Sequence, residues 1–398
     1  MKKTTIGIFL AAFLALPIFA ERLAPFVVPT AASNGFGGTH VAYTDNVYSL
    51  LVNPAAMIRV EEKSFFTFAP SLFNPEKTVK FFGAISIREM MNGNFSNPGE
   101  VLDSLGVNDG RIGFGAELRE FPLSIAWVAN GFGFGIWNRF YFYLDVLDLN
   151  FEVKTYMDAM FPVGFAFKVL NLENHSVDAG ITIKPFVRAM IHESESITSL
   201  IGSTDALEGW SVPVIAGGTF DLGLLYRWQQ GLQFGLTFND VFSRAVVLYG
   251  NDNNYYLPFN MNMGLSYEFN VLFLGFTLAA DWRNIGIADL WNLGTYFRRE
   301  DYLRRSFLLD IGVGLQATLF DFVYARMGVN ELLPAVGVGV SLDAFKIDLA
   351  YYGKELGLQP GQLPVAVFDL SVSFRPEAKQ RDWPWARRSL VGLITGGE

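Results

Sequence analysis

The sequence lacks cysteine and has little charge for its length. Its 398 residues contain no Cys and only three His, and 17% of them are charged against 51% that are hydrophobic. Without cysteine there is no disulfide framework, no thiolate metal site, no thiol nucleophile and no acylated Cys of a lipoprotein. In soluble domains, about a quarter of all residues are usually charged. The lower charged fraction of this chain indicates that it contacts a membrane.

Long apolar runs are also missing, except at the N-terminus. Residues 1–20 contain Lys2 and Lys3, then an apolar stretch, then Ala20 before Glu21, which is the pattern of a secretory signal cleaved near Ala20–Glu21. After this signal, no run of 18 or more apolar residues is free of charges and turn formers, so we expect no later spanning helix. A membrane protein with this sequence has to cross the bilayer as a β-barrel.

Positive charge and catalytic groups are scarce as well. The 39 acidic residues outnumber the 30 basic ones, which argues against a nucleic-acid partner. No two of His40, His175 and His192 lie at metal-ligand spacing, and no nucleophile–base pair or phosphate-binding loop is evident. We therefore expect no catalytic residues, no cofactor and no metal.

What the sequence does contain is a strong alternation of period two. One face of the segment from Phe307 has Leu309, Ile311, Val313 and Leu315, and the other has Asp310, Gly312, Gly314 and Gln316. Successive side chains of a strand point to opposite faces, so each strand has an apolar face and a small or polar one. Charged residues share the polar faces, and we predict that they form ion pairs inside a lumen: Lys184, Arg188, Arg227, Asp281 and Arg283.

Connection lengths favour a barrel over a sandwich. The predicted strands are 64–72, 78–88, 111–118, 121–129, 132–144, 162–170, 176–192, 214–228, 231–240, 258–269, 271–283, 306–319, 321–329, 333–343, 345–353 and 364–374. Short turns alternate with connections that are often long, namely 145–161, 193–213, 241–257, 284–305 and 354–363. Short periplasmic turns and longer external loops are typical of outer-membrane barrels. The count is 14 to 16, because either 111–118 and 121–129 belong to one bent strand or an early hairpin is not in the wall.

The last predicted strand, 364–374, ends on Phe374 with an apolar face on alternate residues. It resembles the closing-strand signal that the outer-membrane assembly machinery recognises, which makes that machinery an expected partner. The chain then continues through 375–398, which we interpret as a periplasmic tail or a disordered extension.

Two motifs near the N-terminus carry a family resemblance. Residues 37–45 read Gly-Gly-Thr-His-Val-Ala-Tyr-Thr-Asp, and Asn53-Pro54-Ala55 is followed by Ala56 and Met57. The chain resembles the FadL-type outer-membrane transporters of long-chain fatty acids, with their TodX, PorV-like and treponemal relatives. The resemblance implies 14 strands, a plug at 21–62 inside the lumen, a transmembrane barrel at 63–374 and the plug motif Asn53, Pro54 and Ala55.

Several segments predicted to be loops are more apolar than solvated loops usually are, which indicates ligand capture or mutual packing into a lid. The candidate substrate-binding residues in these segments are Phe151, Met160, Phe161 and Trp291, with Arg298 and Arg299 nearby. Arginine pairs a carboxylate through two hydrogen bonds, so these two suit a fatty acid, although they equally suit anionic head groups at the rim.

These observations together predict an all-β, antiparallel transmembrane barrel in the outer membrane of a diderm bacterium. Its expected function is passive transport of hydrophobic molecules, with long-chain fatty acids implied by the resemblance and membrane lipids as neighbours. Two alternatives stay open at this point. One is a PorV-like shuttle or scaffold that binds protein partners, and the other is a surface antigen or adhesin.

Overall fold

The computed structural model describes residues 20–23, 26, 30–44, 46–60, 62–64, 66–84, 112–120, 124–147, 150–196, 212–228, 230–250, 254–272, 274–288, 305–320, 322–342 and 345–374. Residues 1–19 of the predicted signal (1–20) and the C-terminal tail lie outside these ranges, so signal and tail stay predictions. Among the described residues, no helix is long and apolar enough to cross a membrane.

Most of the described residues belong to β-strands. The strands are β1 Ala20–Arg22, β2 Glu62–Ser64, β3 Phe66–Phe73, β4 Ile112–Arg119, β5 Ile125–Ala129, β6 Phe132–Leu147, β7 Asn150–Met160, β8 Val163–Asn171, β9 His175–Ser196, β10 Val214–Trp228, β11 Leu232–Tyr249, β12 Asn254–Tyr256, β13 Phe259–Val271, β14 Leu274–Ala288, β15 Ile311–Leu319, β16 Val323–Asn330, β17 Leu333–Ser341, β18 Phe345–Glu355 and β19 Pro364–Phe374. The α-helices are α1 Ala31–Gly35, α2 Ser49–Val52 and α3 Pro75–Ala84, and 3-10 helices span Pro54–Arg59 and Phe307–Asp310.

The strands close into an antiparallel barrel. Each wall strand pairs with its neighbours, and β19 pairs back onto β3, from Val367 opposite Phe73 to Phe374 opposite Phe66. β2 and β3, β4 and β5, and β7 and β8 each continue one another along the wall. The described part of the chain therefore forms 14 wall strands. β1 and β12 pair with each other in parallel and are not part of this ring.

The strand count settles the alternative left open before residue 130. β4 and β5 both pair with β6, so they are two halves of one bent strand. The bend is at Glu120, which has φ 65° and donates its backbone N–H to the Asn138 carbonyl (2.6 Å). The prediction of an all-β transmembrane barrel with 14 strands is confirmed.

The predicted strand at 78–88 is wrong for its described part, because α3 covers residues 75–84. Pro75 suits the first turn of a helix, and Lys80 pairs with Glu76 one turn away (2.6 Å). The Thr78 hydroxyl donates to the Phe73 carbonyl (2.5 Å) and accepts from the Gly115 N–H (3.2 Å). The helix thus provides hydrogen-bond partners for two backbone groups near the end of β3.

The predicted long connection at 145–161 is also wrong. β6 continues to Leu147, and β7 follows after two residues and pairs with both β6 and β9. The segment was predicted to be an apolar loop, yet its charged residues alternate with apolar ones and lie on the polar face of the wall. β11 likewise extends to Tyr249, well into the predicted loop at 241–257.

The two faces of the wall differ in polarity, as the alternation predicts. In β17, Val336 and Val338 are 52% and 58% exposed on the outer face, whereas Gly337 and Gly339 face inward. In β18, Ile347 and Leu349 point outward while Asp348 is buried. An apolar outer surface around a polar interior is what a barrel in hydrocarbon requires.

The N-terminal segment, residues 30–60, packs against the polar face of the wall on opposite sides of the ring. α1 contacts β16, β17, β18 and β19, and the 3-10 helix Pro54–Arg59 contacts β8, β9 and β10. Leu50, Met57 and Val60 form an apolar core with Trp137 and Phe186 of the wall.

Candidate functional site

The predicted plug motif begins the 3-10 helix of the N-terminal segment. Asn53 is fully buried and extended (φ −143°, ψ 99°), as expected for a residue before proline, and its side chain accepts from the Ala55 N–H (3.2 Å). Its amide nitrogen donates to the Val41 carbonyl (2.9 Å) and to the Leu224 carbonyl of β10 (3.3 Å). One side chain thus ties together the bend, the preceding turn and the wall.

A second anchor comes from the wall. The Asp281 carboxylate on β14 accepts the backbone N–H groups of His40 (2.6 Å) and Val41 (3.0 Å). Sequence analysis predicted an ion pair for Asp281, and the structure shows a carboxylate that holds peptide N–H groups instead. No local signal distinguishes Asp281 from the other luminal acids, because its partners are 240 and 241 residues away.

The third anchor holds α1. Thr30 and Ser33 form a capping box at its start, with the Ser33 N–H donating to the Thr30 hydroxyl (3.1 Å). The Asn34 amide donates to Asp369 on β19 (2.6 Å), and Asp369 also pairs with Arg119 on β4. This contact joins the N-terminal segment to the seam where the barrel closes.

The wall approaches the N-terminal segment closely at glycine positions. A Cβ at Gly180 on β9 would lie 2.4 Å from the Pro54 carbonyl carbon, and one at Gly223 on β10 would lie 2.3 Å from the Asn53 side-chain oxygen. Larger residues would push the segment away from the wall, so glycine is required here by contact rather than by backbone conformation.

We expect Gly180→Val to lower the free energy of unfolding by about 1 to 3 kcal/mol, because its side chain would overlap Pro54. The matched control is Gly218→Val on β10, where a Cβ would have no heavy atom within 4 Å. Urea unfolding of the detergent-folded barrel measures both. Equal stabilities of the two variants would contradict the close approach.

Charged side chains of the wall pair within the lumen, as predicted for Lys184, Arg188 and Arg227. Lys184 lies 2.7 Å from Asp221 and 2.8 Å from Asp240. The Arg188 guanidinium donates to Asp158 (2.6 and 3.0 Å), to which Arg139 also donates (2.8 Å). Arg227 lies 3.4 Å from Asp178, and Arg283 donates to Asn330 (2.5 Å).

Two cavities lie on the polar side of the wall, one on each side of the N-terminal segment. The larger, about 400 Å³, extends toward the long connections and is lined by wall residues together with Phe26, Asn34 and Leu51. The smaller, about 60 Å³, is lined by Thr30, Phe36, Tyr43 and other residues. His40 and Val52 line both cavities. Burial and the Arg283 guanidinium lower the pKa of His40 to about 4, which keeps the ring neutral at pH 7.

Next to the bend in β4–β5, the ladder pairs of the described residues stop on both sides. β3 pairs with β4 up to Ala69 opposite Arg119, and β2 pairs with β5 from Ser64 opposite Ala126. Between these positions, the described residues of the two strands form no ladder pairs with each other. A small cavity of about 20 Å³, lined by Phe26, Glu120, Trp137 and Met160 among others, lies beside this bend.

The predicted substrate-binding residues are not brought together by the described structure. Met160 is buried in the apolar core under the N-terminal segment, whereas Phe161 is 42% exposed on the outer face. Phe151 lies in β7 rather than in a loop. Trp291, Arg298 and Arg299 lie outside the described residues. The lining of the large cavity was not predicted, because it combines residues from nine wall strands that only barrel closure brings together.

No group of three His, Asp or Glu residues that could hold a metal ion occurs in the described ranges.

A closed antiparallel barrel with an apolar exterior and a paired, polar interior defines a β-barrel protein of the outer-membrane type. No family model and no curated protein matches the chain. Among solved structures it is similar to the CymD monoaromatic hydrocarbon channel (11% identity, TM-score 0.47, 89% of this chain and 98% of that one). It is also similar to the Pseudomonas putida toluene transporter TodX (12%, 0.48, 87% and 97%) and to a Pseudomonas aeruginosa FadL homologue (12%, 0.44, 88% and 99%).

Proposed function

We propose that this chain is a passive outer-membrane channel for hydrophobic molecules and that residues 21–62 are its plug. The division of the lumen carries the proposal: cavities of about 400 and 60 Å³ lie on the two sides of the N-terminal segment. A barrel of 14 strands is wide enough to leave a passage unless something fills it. The N-terminal segment is held to the wall by hydrogen bonds at three places, and its residues His40 and Val52 border both cavities. These features suit a plug.

The larger cavity has the size of a small-molecule site and extends toward the long connections, from which a molecule would enter. From there the molecule would leave past His40 and Val52 after a shift of the plug, or sideways through the wall beside the bend at Glu120. Long-chain fatty acids are the cargo suggested by the FadL resemblance, and monoaromatic hydrocarbons are suggested by the names of CymD and TodX.

Uptake by whole cells tests the proposal. We expect cells lacking the gene to take up radiolabelled oleate or toluene more slowly and complemented cells to recover. Complementation with Val52→Trp places a large side chain where the two cavities meet. It should restore the amount of folded protein in the outer membrane but not the rate of uptake. Unchanged uptake in the deletion strain would refute the transport function. A protein that copurifies in fixed ratio would then favour the scaffold alternative.

A further inference from the structure

One side of the large cavity is lined by side-chain amides. They come from four wall strands and the N-terminal segment: Asn34, Asn239, Asn260, Asn262, Asn284 and Asn330. Asn262 donates to Asn239 (2.8 Å), and its side-chain oxygen accepts the Asn284 N–H (2.9 Å). Asn260 donates to the Asn284 side chain (3.1 Å). Four of the amides thus hold one another in place: Asn239, Asn260, Asn262 and Asn284.

Three buried polar atoms of this cavity have no hydrogen-bond partner within the described part of the chain. They are the Asn260 side-chain oxygen, the Arg283 Nε and the His40 Nδ1. The first is an acceptor and the second a donor, while the neutral imidazole nitrogen takes either role. Buried polar groups are nearly always hydrogen-bonded, so these three lining residues would gain partners if a small side-chain rotation turned the atoms toward a ligand that both donates and accepts.

The ionic groups of the lining are mostly neutralised by the wall itself. Lys184 has two aspartates, Arg139 has Asp158, and Glu331 has Arg305 (3.3 Å). Positive charge is therefore not concentrated on one point of the cavity as a carboxylate site requires. A neutral polar group fits this balance better than an anion.

Apolar and aromatic surface lies in the same cavity. Tyr141 and Tyr156 stack at 5.5 Å between ring centroids with an angle of 23°, and Phe26 and Leu51 of the N-terminal segment join the lining. Tyrosine faces pack against both hydrocarbon and the apolar faces of sugar rings. The cavity lining thus combines two kinds of surface, namely polar side-chain amides and apolar aromatic rings.

We propose that the large cavity binds an amphiphile through a neutral, hydroxyl-bearing head group, with the amide strip holding the hydroxyls and the aromatic part holding carbon. This inference rests on the proposed channel function and names the class of its cargo. Hydroxyl groups donate and accept at once, which matches the mixed set of unpartnered atoms.

Equilibrium dialysis with the barrel in lipid nanodiscs tests the inference, with empty nanodiscs subtracted. The probes share an eight-carbon chain and differ in the head: octyl β-glucoside below its micelle concentration, octanoate, and octane. We expect the glucoside to bind more tightly than the other two. Asn260→Leu should weaken glucoside binding by about three- to tenfold, the effect of losing one neutral hydrogen bond.

Asn260→Leu also removes the bond to Asn284, so Arg283→Met provides a second, independent variant with the same expected direction. Gln233→Leu is the matched control, because Gln233 bonds to Glu268 (2.7 Å) and does not line the cavity. Folding of each variant is checked by its heat-modifiable mobility in SDS gels. Glucoside affinity unchanged in both cavity variants, or binding of octanoate or octane alone, would overturn the inference while leaving the channel function intact. Binding of none of the probes would contradict both.

Discussion

Replacing Asp369 with alanine is expected to lower the free energy of unfolding by about 3 to 5 kcal/mol, the usual cost of breaking a buried ion pair from one side. Asp369 is fully buried, and its carboxylate accepts from the Ser71 hydroxyl (2.6 Å) and the Asn34 amide (2.6 Å) besides pairing with Arg119. These partners lie on β3, α1 and β4. One carboxylate therefore joins the closing seam to the N-terminal segment.

Urea unfolding in lipid vesicles, followed by heat-modifiable mobility, measures this effect. The control is Glu76→Ala, which breaks the exposed pair with Lys80 on α3 and should leave stability nearly unchanged, because exposed ion pairs contribute little. The double variant Asp369→Leu with Arg119→Leu should recover much of the loss, because it removes both buried charges. A small effect of Asp369→Ala alone would show that the seam does not depend on this pair.

The wall could be predicted from the sequence because lipid imposes one rule on every strand. The segments 214–228 and 364–374 were predicted with the bounds that the structure shows, since an apolar outer face and a polar inner face alternate along them. The rule was missed at β7, where Glu152, Lys154 and Asp158 alternate with apolar residues in a segment predicted to be an apolar loop. The partner of Asp158 comes from elsewhere in the chain, because Arg188 is 30 residues away.

The site was less predictable than the wall. The bend at Asn53-Pro54 and the bond from Asn53 to local backbone follow from the two residue types. The bond from Asn53 to the Leu224 carbonyl, 171 residues away, follows from barrel closure and has no local signature. The amide strip has the same origin, because each Asn is an ordinary luminal residue of its own strand until the ring brings them together.

The combined variant Asn53→Ala with Asp281→Ala is expected to open the lumen to ions. Asn53 and Asp281 together provide four of the hydrogen bonds that position the turn around His40 and Val41 and the start of the 3-10 helix: to Val41 O, Leu224 O, His40 N and Val41 N. A hydrogen bond to a charged group contributes about 1.5 to 3 kcal/mol and a neutral one about 1 kcal/mol. A net loss of about 4 kcal/mol would raise the ratio of open to closed plugs about a thousandfold.

Single-channel recording in planar bilayers measures this directly. Wild type should remain at low conductance, and the double variant should show long openings at the level of a water-filled barrel. The control is Ser373→Ala, which removes a luminal hydroxyl that bonds to the Lys346 carbonyl of the wall (3.5 Å). If the folded double variant conducts no more than this control, then packing of the segment against the wall glycines holds the plug without these bonds. Gly180→Val, which acts on that packing alone, would then be the variant that opens the channel.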